Sequence, residues 1–149
     1  MTRPSSEFLN ILQERGYIHQ CSDFAGLDAL AAKRDVTAYI GFDPTAESLH
    51  IGSLVPILLL VHLQKTGHKP IALIGGATGM IGDPSGKSEE RNLLNEETLN
   101  KNIAGIRSQL EKYIDFNPSL ANSAEMVNSF DWFTPITFID FLRDTGMHI

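Results

Sequence analysis

An α/β domain built on a parallel sheet is the fold class that this 149-residue sequence predicts. Two short continuous apolar runs, VTAYIGF (36–42) and PIALIGG (70–76), read as strands. Between and after them lie amphipathic stretches of helical length. The resulting order is strand, helix, strand, glycine-rich loop, helix, which is the pattern of strands paired in parallel.

Each element has a local reason. Ser5 and Ser6 precede Phe8, Leu9, Ile11 and Leu12, with Gly16 after them, so a capped helix with a left-handed stop is expected. A second helix is expected over Leu27 to about Arg34. The run 36–42 then reads as a buried strand closed by the Asp43-Pro44 turn. Leu54, Ile57, Leu58 and Val61 stand at helical spacing, with Gly67 at the C-terminal stop. Pro56 lies inside that stretch and is best accommodated in its first turn or two. After the second strand, GATGMIGDPSGKSEERN reads as a loop. Asn95 caps the next helix, Glu96 and Glu97 suit its positive end, and Leu99, Ile103, Ile106, Leu110 and Tyr113 form one stripe. The segment AEMVNSFDWF (124–133) reads as a third strand. Thr134-Pro135 starts a helix through Phe138, Phe141 and Leu142 that stops at Gly146. A further strand is expected just past that stop, so the sheet reads as unfinished.

Composition narrows the function classes. With 42% hydrophobic and 20% charged residues and no low-complexity tract, the chain reads as a soluble globular domain able to bury a core. Its longest apolar stretch, Leu54–Val61, is too short to span a bilayer, and MTRPSSEF lacks the apolar region of a secretory signal. Cys21 is the single cysteine, so no internal disulfide forms, which suits a reducing compartment. The net charge of −6 argues against these residues being a main nucleic-acid contact face.

Ligands of open parallel sheets bind where strands end and helices begin. The loop after the first strand, within YIGFDPTAESLHIGS (39–53), supplies an acid, a turn, a hydroxyl, a histidine and a glycine. Gly52 lets a planar base or a phosphate chain approach the backbone, and His50 can donate to a phosphate oxygen whose charge grows during reaction. An ordinary helix start with an unremarkable His50 remains the alternative. The second loop, GGATGMIGDPSGKSEER (75–91), has four glycines between Gly75 and Gly82, with Thr78, Asp83, Lys87 and Arg91. Asp83 can hold an ammonium group, and the two cations can meet phosphates or simply be solvated. Gly86-Lys87-Ser88 imitates the tail of a phosphate-binding P-loop. However, the required first glycine falls on Ile81, and Gly82 is one residue too close.

Together these two strings closely resemble bacterial-type tyrosyl-tRNA synthetase, a class I aminoacyl-tRNA synthetase, and the similarity runs over nearly the whole chain. The resemblance implies a Rossmann-like catalytic domain. It divides the chain into a helical segment, 1–35, and the N-terminal portion of that domain, 36–149. It also implies that Tyr39, at the end of the first strand, bonds the phenolic hydroxyl of substrate tyrosine. Asp83 and Thr78 would hold the α-ammonium side, and Asp43 the reacting centre. Gly41, Asp43, His50, Gly52 and Ser53 would take ATP. Thr45 and His50 would contact the γ-phosphate in the transition state, with Lys87 and Arg91 at the departing pyrophosphate. No protein nucleophile, protein-bound metal or tightly held cofactor is implied; ATP enters as a substrate with Mg2+.

The family signature ends in a second histidine, often asparagine, where this chain has Ser53, so a weaker nucleotide contact is expected. The family's lysine-rich KMSKS-like loop, later helix residues of the tyrosine pocket and the anticodon-binding region do not occur in these residues. The expected function is tyrosine–tRNA ligase, with this chain as its N-terminal part and inactive by itself. L-Tyrosine, ATP and tRNA(Tyr), the last gripped mainly by other regions, are the expected partners, with no membrane. A cytoplasmic homodimer is expected, its interface near Phe138, Phe141 and Leu142. Two alternatives stand beside this: a non-catalytic synthetase-like binding domain, and a P-loop NTPase, which the miscount and Asp83 count against.

Overall fold

The computed structural model describes residues 3–81 and 95–148. Three parallel strands form one sheet in the order β1 (Thr37–Phe42), β2 (Lys69–Ile74), β3 (Glu125–Asn128). Helix α1 (Glu7–Glu14) is capped by Ser6, whose hydroxyl accepts from Leu9 N, and it stops before Gly16 at φ +70°. Helix α2 covers Phe24–Ala31, three residues earlier than expected, because the Asp23 carboxylate accepts from Gly26 N and starts it. Asp28 in α2 then takes Ser5 N, Ser6 N and Ser6 Oγ at 2.8, 2.8 and 2.7 Å, tying α2 to the start of α1.

A single 3₁₀ turn, Ile51–Ser53, runs into α3 (Leu54–Lys65), which ends at Gly67 with φ +88°. Pro56 falls third in α3, within the first turn, where N–H groups lack helical partners and proline is tolerated. Ala38, Ile40 and Phe42 of β1, Ala72 and Ile74 of β2 and Met126 of β3 join Ile57, Leu60, Val61, Ile106 and Leu110 in one core. So α3 and α5 (Glu96–Leu110) cover one face of the sheet. The alternate residues, Tyr39, Gly41, Ile71, Leu73 and Val127, stand on the other face and are half-buried or exposed. The expectation of a fully buried first strand is therefore corrected: β1 lies at the edge and alternates, with Tyr39 67% exposed.

Three further readings are corrected. The expected glycine-rich loop begins as a helix, α4 (Gly76–Ile81), directly after β2. The expected strand 124–133 pairs only over Glu125–Asn128, because Asn128 Oδ1 accepts from Phe130 N and starts α6 (Ser129–Phe133). The last helix, α7 (Phe138–Asp144), is capped by Thr137 instead of starting at Thr134-Pro135. The stop near Gly146 is a second 3₁₀ turn, Gly146–His148. Trp132, Phe133, Ile136, Phe138 and Ile139 are all at least half exposed, so a core role for Phe138 is excluded among the described residues.

Candidate active site

Parallel strands end together, so the segments after β1 and β2 lie side by side. Phe42 and Ile74 are register partners, and Gly75 N donates to Phe42 O at 3.0 Å, extending the pairing past β2. This sets Asp43 against the next turn. A Cβ on Gly75 would lie 3.0 Å from Asp43 Oδ1 and 2.8 Å from Thr78 Oγ1, both too close. Glycine is thus what lets the carboxylate and the hydroxyl share that spot. Thr78 Oγ1 donates to Gly75 O at 2.9 Å, which pins the first turn of α4.

The third strand end meets the same place. Ala77 N donates to Ser129 Oγ at 3.2 Å, and a side chain on Gly76 would overlap the Asn128 amide. Asn128 and Ser129 were not anticipated as site residues. The signal for them was present, since two small polar residues interrupt an apolar run where a strand must end.

At the start of the 3₁₀ turn, His50 caps its own helix end: Gly52 N donates to His50 Nδ1 at 3.0 Å. With Nδ1 accepting, a neutral ring carries its proton on Nε2, which leaves the exposed imidazole a donor at its far end. A Cβ on Gly52 would sit 2.7 Å from His50 Cε1, so glycine is needed for the ring to fold back. The amide of Gly52, where a base or phosphate chain was expected to approach the backbone, is therefore already taken by His50. Ser53 is half-buried at the start of α3 and makes no side-chain cap bond, so its hydroxyl is uncommitted to the helix.

Of the residues singled out from sequence, Asp43, Gly75 and Thr78 converge, and His50 and Gly52 form a second unit in the same connection. Thr45 is exposed between them. Tyr39 is third in β1 instead of at its end, opposite Ile71, and Gly41 is opposite Leu73, both on the face away from α3 and α5. Asp83, Lys87 and Arg91 lie outside the described residues. Behind His50 is an open cleft of about 260 Å³ lined by Leu49, Ile51, Leu54, Gln109 and Tyr113 among others, which contains no other predicted site residue.

A parallel α/β sheet with its candidate groups gathered at the carboxyl ends of the strands is the architecture of class I synthetase catalytic domains. A family model described as "tRNA synthetases class I (W and Y)" matches residues 31–149, and the chain belongs to that family. It is 59% identical over 143 residues to a Flavobacterium psychrophilum protein named tyrosine–tRNA ligase, covering 94% of this chain and 33% of the relative. A Rhodospirillum rubrum protein of the same name is 53% identical over 148 residues, covering 99% of this chain and 35% of the relative. Among solved structures, a C-terminally truncated mitochondrial tyrosyl-tRNA synthetase from Aspergillus nidulans superposes with a TM-score of 0.76 at 29% identity. That match covers 95% of this chain and 42% of the other. The Coccidioides posadasii counterpart gives 0.72 at 32% identity, with 95% and 40% coverage. The chain thus spans about a third of the length of the curated relatives it matches.

Proposed function

We propose that these residues are the N-terminal part of a tyrosine–tRNA ligase. In the first step a tyrosine carboxylate oxygen bonds the α-phosphorus of ATP as the bond from that phosphorus to the α,β-bridging oxygen breaks, giving tyrosyl-adenylate and pyrophosphate. In the second, the tyrosyl group passes to the 3′ end of tRNA(Tyr) and AMP leaves. The observation that carries this reading is the register that brings Asp43 against Gly75 and Thr78. It joins, at the strand ends, the two segments that resemble the family.

On this reading the protein reacts nothing covalently with itself and works by position and charge. Tyr39 presents its hydroxyl from β1 to the substrate phenol. Thr78 and Asp83 take the ammonium group, and Asp43 aligns the reactants. Gly41, Gly52 and Ser53 accommodate adenosine. Thr45, with the Nε2–H of His50, meets the phosphate chain, and Lys87 and Arg91 take up charge on departing pyrophosphate. Mg2+ accompanies ATP as part of the substrate. Residues 1–35 serve as a helical segment leading into the catalytic portion, 36–149. The exposed apolar side chains of α6 and α7 support pairing of two copies through this region. Among the described residues no helix is long and apolar enough to cross a membrane, and a cytoplasmic site of action goes with the ligase reading.

The test is tyrosine-dependent exchange of pyrophosphate into ATP, measured on the complete gene product. Exchange supports the proposal. Tyrosine binding without exchange replaces it with a non-catalytic binding domain, and ATP hydrolysis without amino acid replaces it with an NTPase. Asp83→Ala is expected to weaken tyrosine binding and spare ATP binding.

A further inference from the structure

The connection from Asp43 to His50 has no regular secondary structure, and Asp43, Thr45, Glu47, Ser48 and His50 are all exposed. Such a segment cannot hold a single shape through its own backbone. Besides an exposed Lys101–Glu47 ion pair at 2.6 Å, α5 holds it at three places. Asn102 Nδ2 donates to Pro44 O at 2.9 Å. Leu49 N donates to Gln109 Oε1 at 2.8 Å. Between them the segment lies directly on Gly105: a Cβ there would be 3.0 Å from the Glu47 carbonyl carbon, and would overlap the carbonyl oxygen.

Residues 102, 105 and 109 share one side of the helix, and they meet the segment near its start, middle and end. Two of them are poor choices for α5 itself. Glycine is disfavoured in a helix interior, and Asn102, 4% exposed, occupies a position on the stripe of Leu99 and Ile106 where an aliphatic side chain would pack. Both choices are explained by what lies across from them. Asp43 and Thr45 flank Pro44, and His50 follows Leu49, so the anchored atoms are next to the reactive ones.

We infer that α5 is the template on which the Asp43–His50 segment is set, with Asn102, Gly105 and Gln109 as positioning residues for adenylate formation. This rests on the ligase reading above. None of the three touches substrate; they act through Asp43, Thr45 and His50. A Cβ at position 105 displaces the segment, and displacements of that order cost positioned reactions heavily.

The experiment uses the complete gene product and three variants. Gly105→Ala is expected to lower kcat for tyrosine-dependent pyrophosphate exchange by about tenfold or more, with KM for tyrosine little changed. Its urea midpoint should change little or fall, because alanine's better helix propensity is offset by the Glu47 backbone it must displace. Gln109→Met removes the acceptor for Leu49 N and should lower kcat similarly, while Gln109→Glu keeps an acceptor oxygen and should restore exchange toward wild type. Hydrogen exchange at the Leu49 amide should quicken in Gln109→Met and not in Gln109→Glu. Wild-type kcat in Gly105→Ala and Gln109→Met, with the Leu49 amide quickened, would overturn the inference. So would loss of kcat only in proportion to loss of folded protein, with glutamate no better than methionine. If wild-type protein shows no exchange, the ligase reading fails and the catalytic role fails with it. The Leu49 amide response would still report separately on whether α5 holds the segment.

Discussion

Tyr39→Phe removes one oxygen from a side chain that is 67% exposed on the open face of β1. A core tyrosine would lose packing and a satisfied hydroxyl, whereas this position has little of either to lose. The stability change is therefore expected within about 0.5 kcal/mol, the range of surface substitutions. If the Tyr39 hydroxyl partners the substrate phenol in a closed pocket, its loss strands that phenol at about 1–3 kcal/mol. At roughly 1.36 kcal/mol per decade, kcat/KM for tyrosine falls by about 5- to 150-fold. Phenylalanine, which has no hydroxyl to strand, should be little affected, so discrimination between the two amino acids narrows by the same factor. Pyrophosphate exchange with each amino acid, alongside urea unfolding, measures both quantities. Unchanged kcat/KM for tyrosine, or a loss matched by an equal loss of stability, would refute the assignment.

Gly52→Ala places a methyl against the His50 ring and forces it off Gly52 N, so exchange should slow by about tenfold or more while folding is little affected. Pro56→Ala, in the first turn of α3, should lower stability by only about 0.4–1 kcal/mol, through the freer unfolded chain, as read from urea midpoints. Backbone donors from Ser5 and Ser6, then the Ser6 hydroxyl, hold the Asp28 carboxyl below its ordinary range. A depressed folded-state value means the unfolded chain takes up the proton first. The stabilisation is therefore complete above about pH 4 and is lost as pH falls through the folded value. Asp28→Asn should accordingly be less stable than wild type at pH 7, with the gap closing as pH falls below the ordinary carboxylate range. A gap independent of pH would remove the carboxylate from that account.

Most of the element order was legible because its signals are local. Ser6, Asn95, Gly16 and Gly67 begin or end helices through bonds and backbone angles reaching only a few residues. The family strings were legible for the same reason, being contiguous runs along the chain. Reading failed where a contact from far along the chain decides. Glycines at 75, 76 and 79 suggested a loop. The structure makes a helix of 76–81, whose first turn is tied by Ala77 N donating to Ser129 Oγ, while Asn128 leaves no room for a side chain at Gly76. Likewise, Asn102 and Gly105 look like blemishes in an amphipathic helix until the Asp43–His50 segment is laid across them.

The sequence by itself therefore determined most of the secondary elements, their parallel α/β order and the family, since periodicity, caps and motif strings are properties of neighbouring residues. Only the tertiary structure decided that Tyr39 is exposed on an edge strand, that Asp43 meets Gly75 and Thr78, and that α5 holds the connection between them and His50. Those facts depend on strand register and on groups about 30 to 60 residues apart meeting in space, for which nearby sequence carries no code.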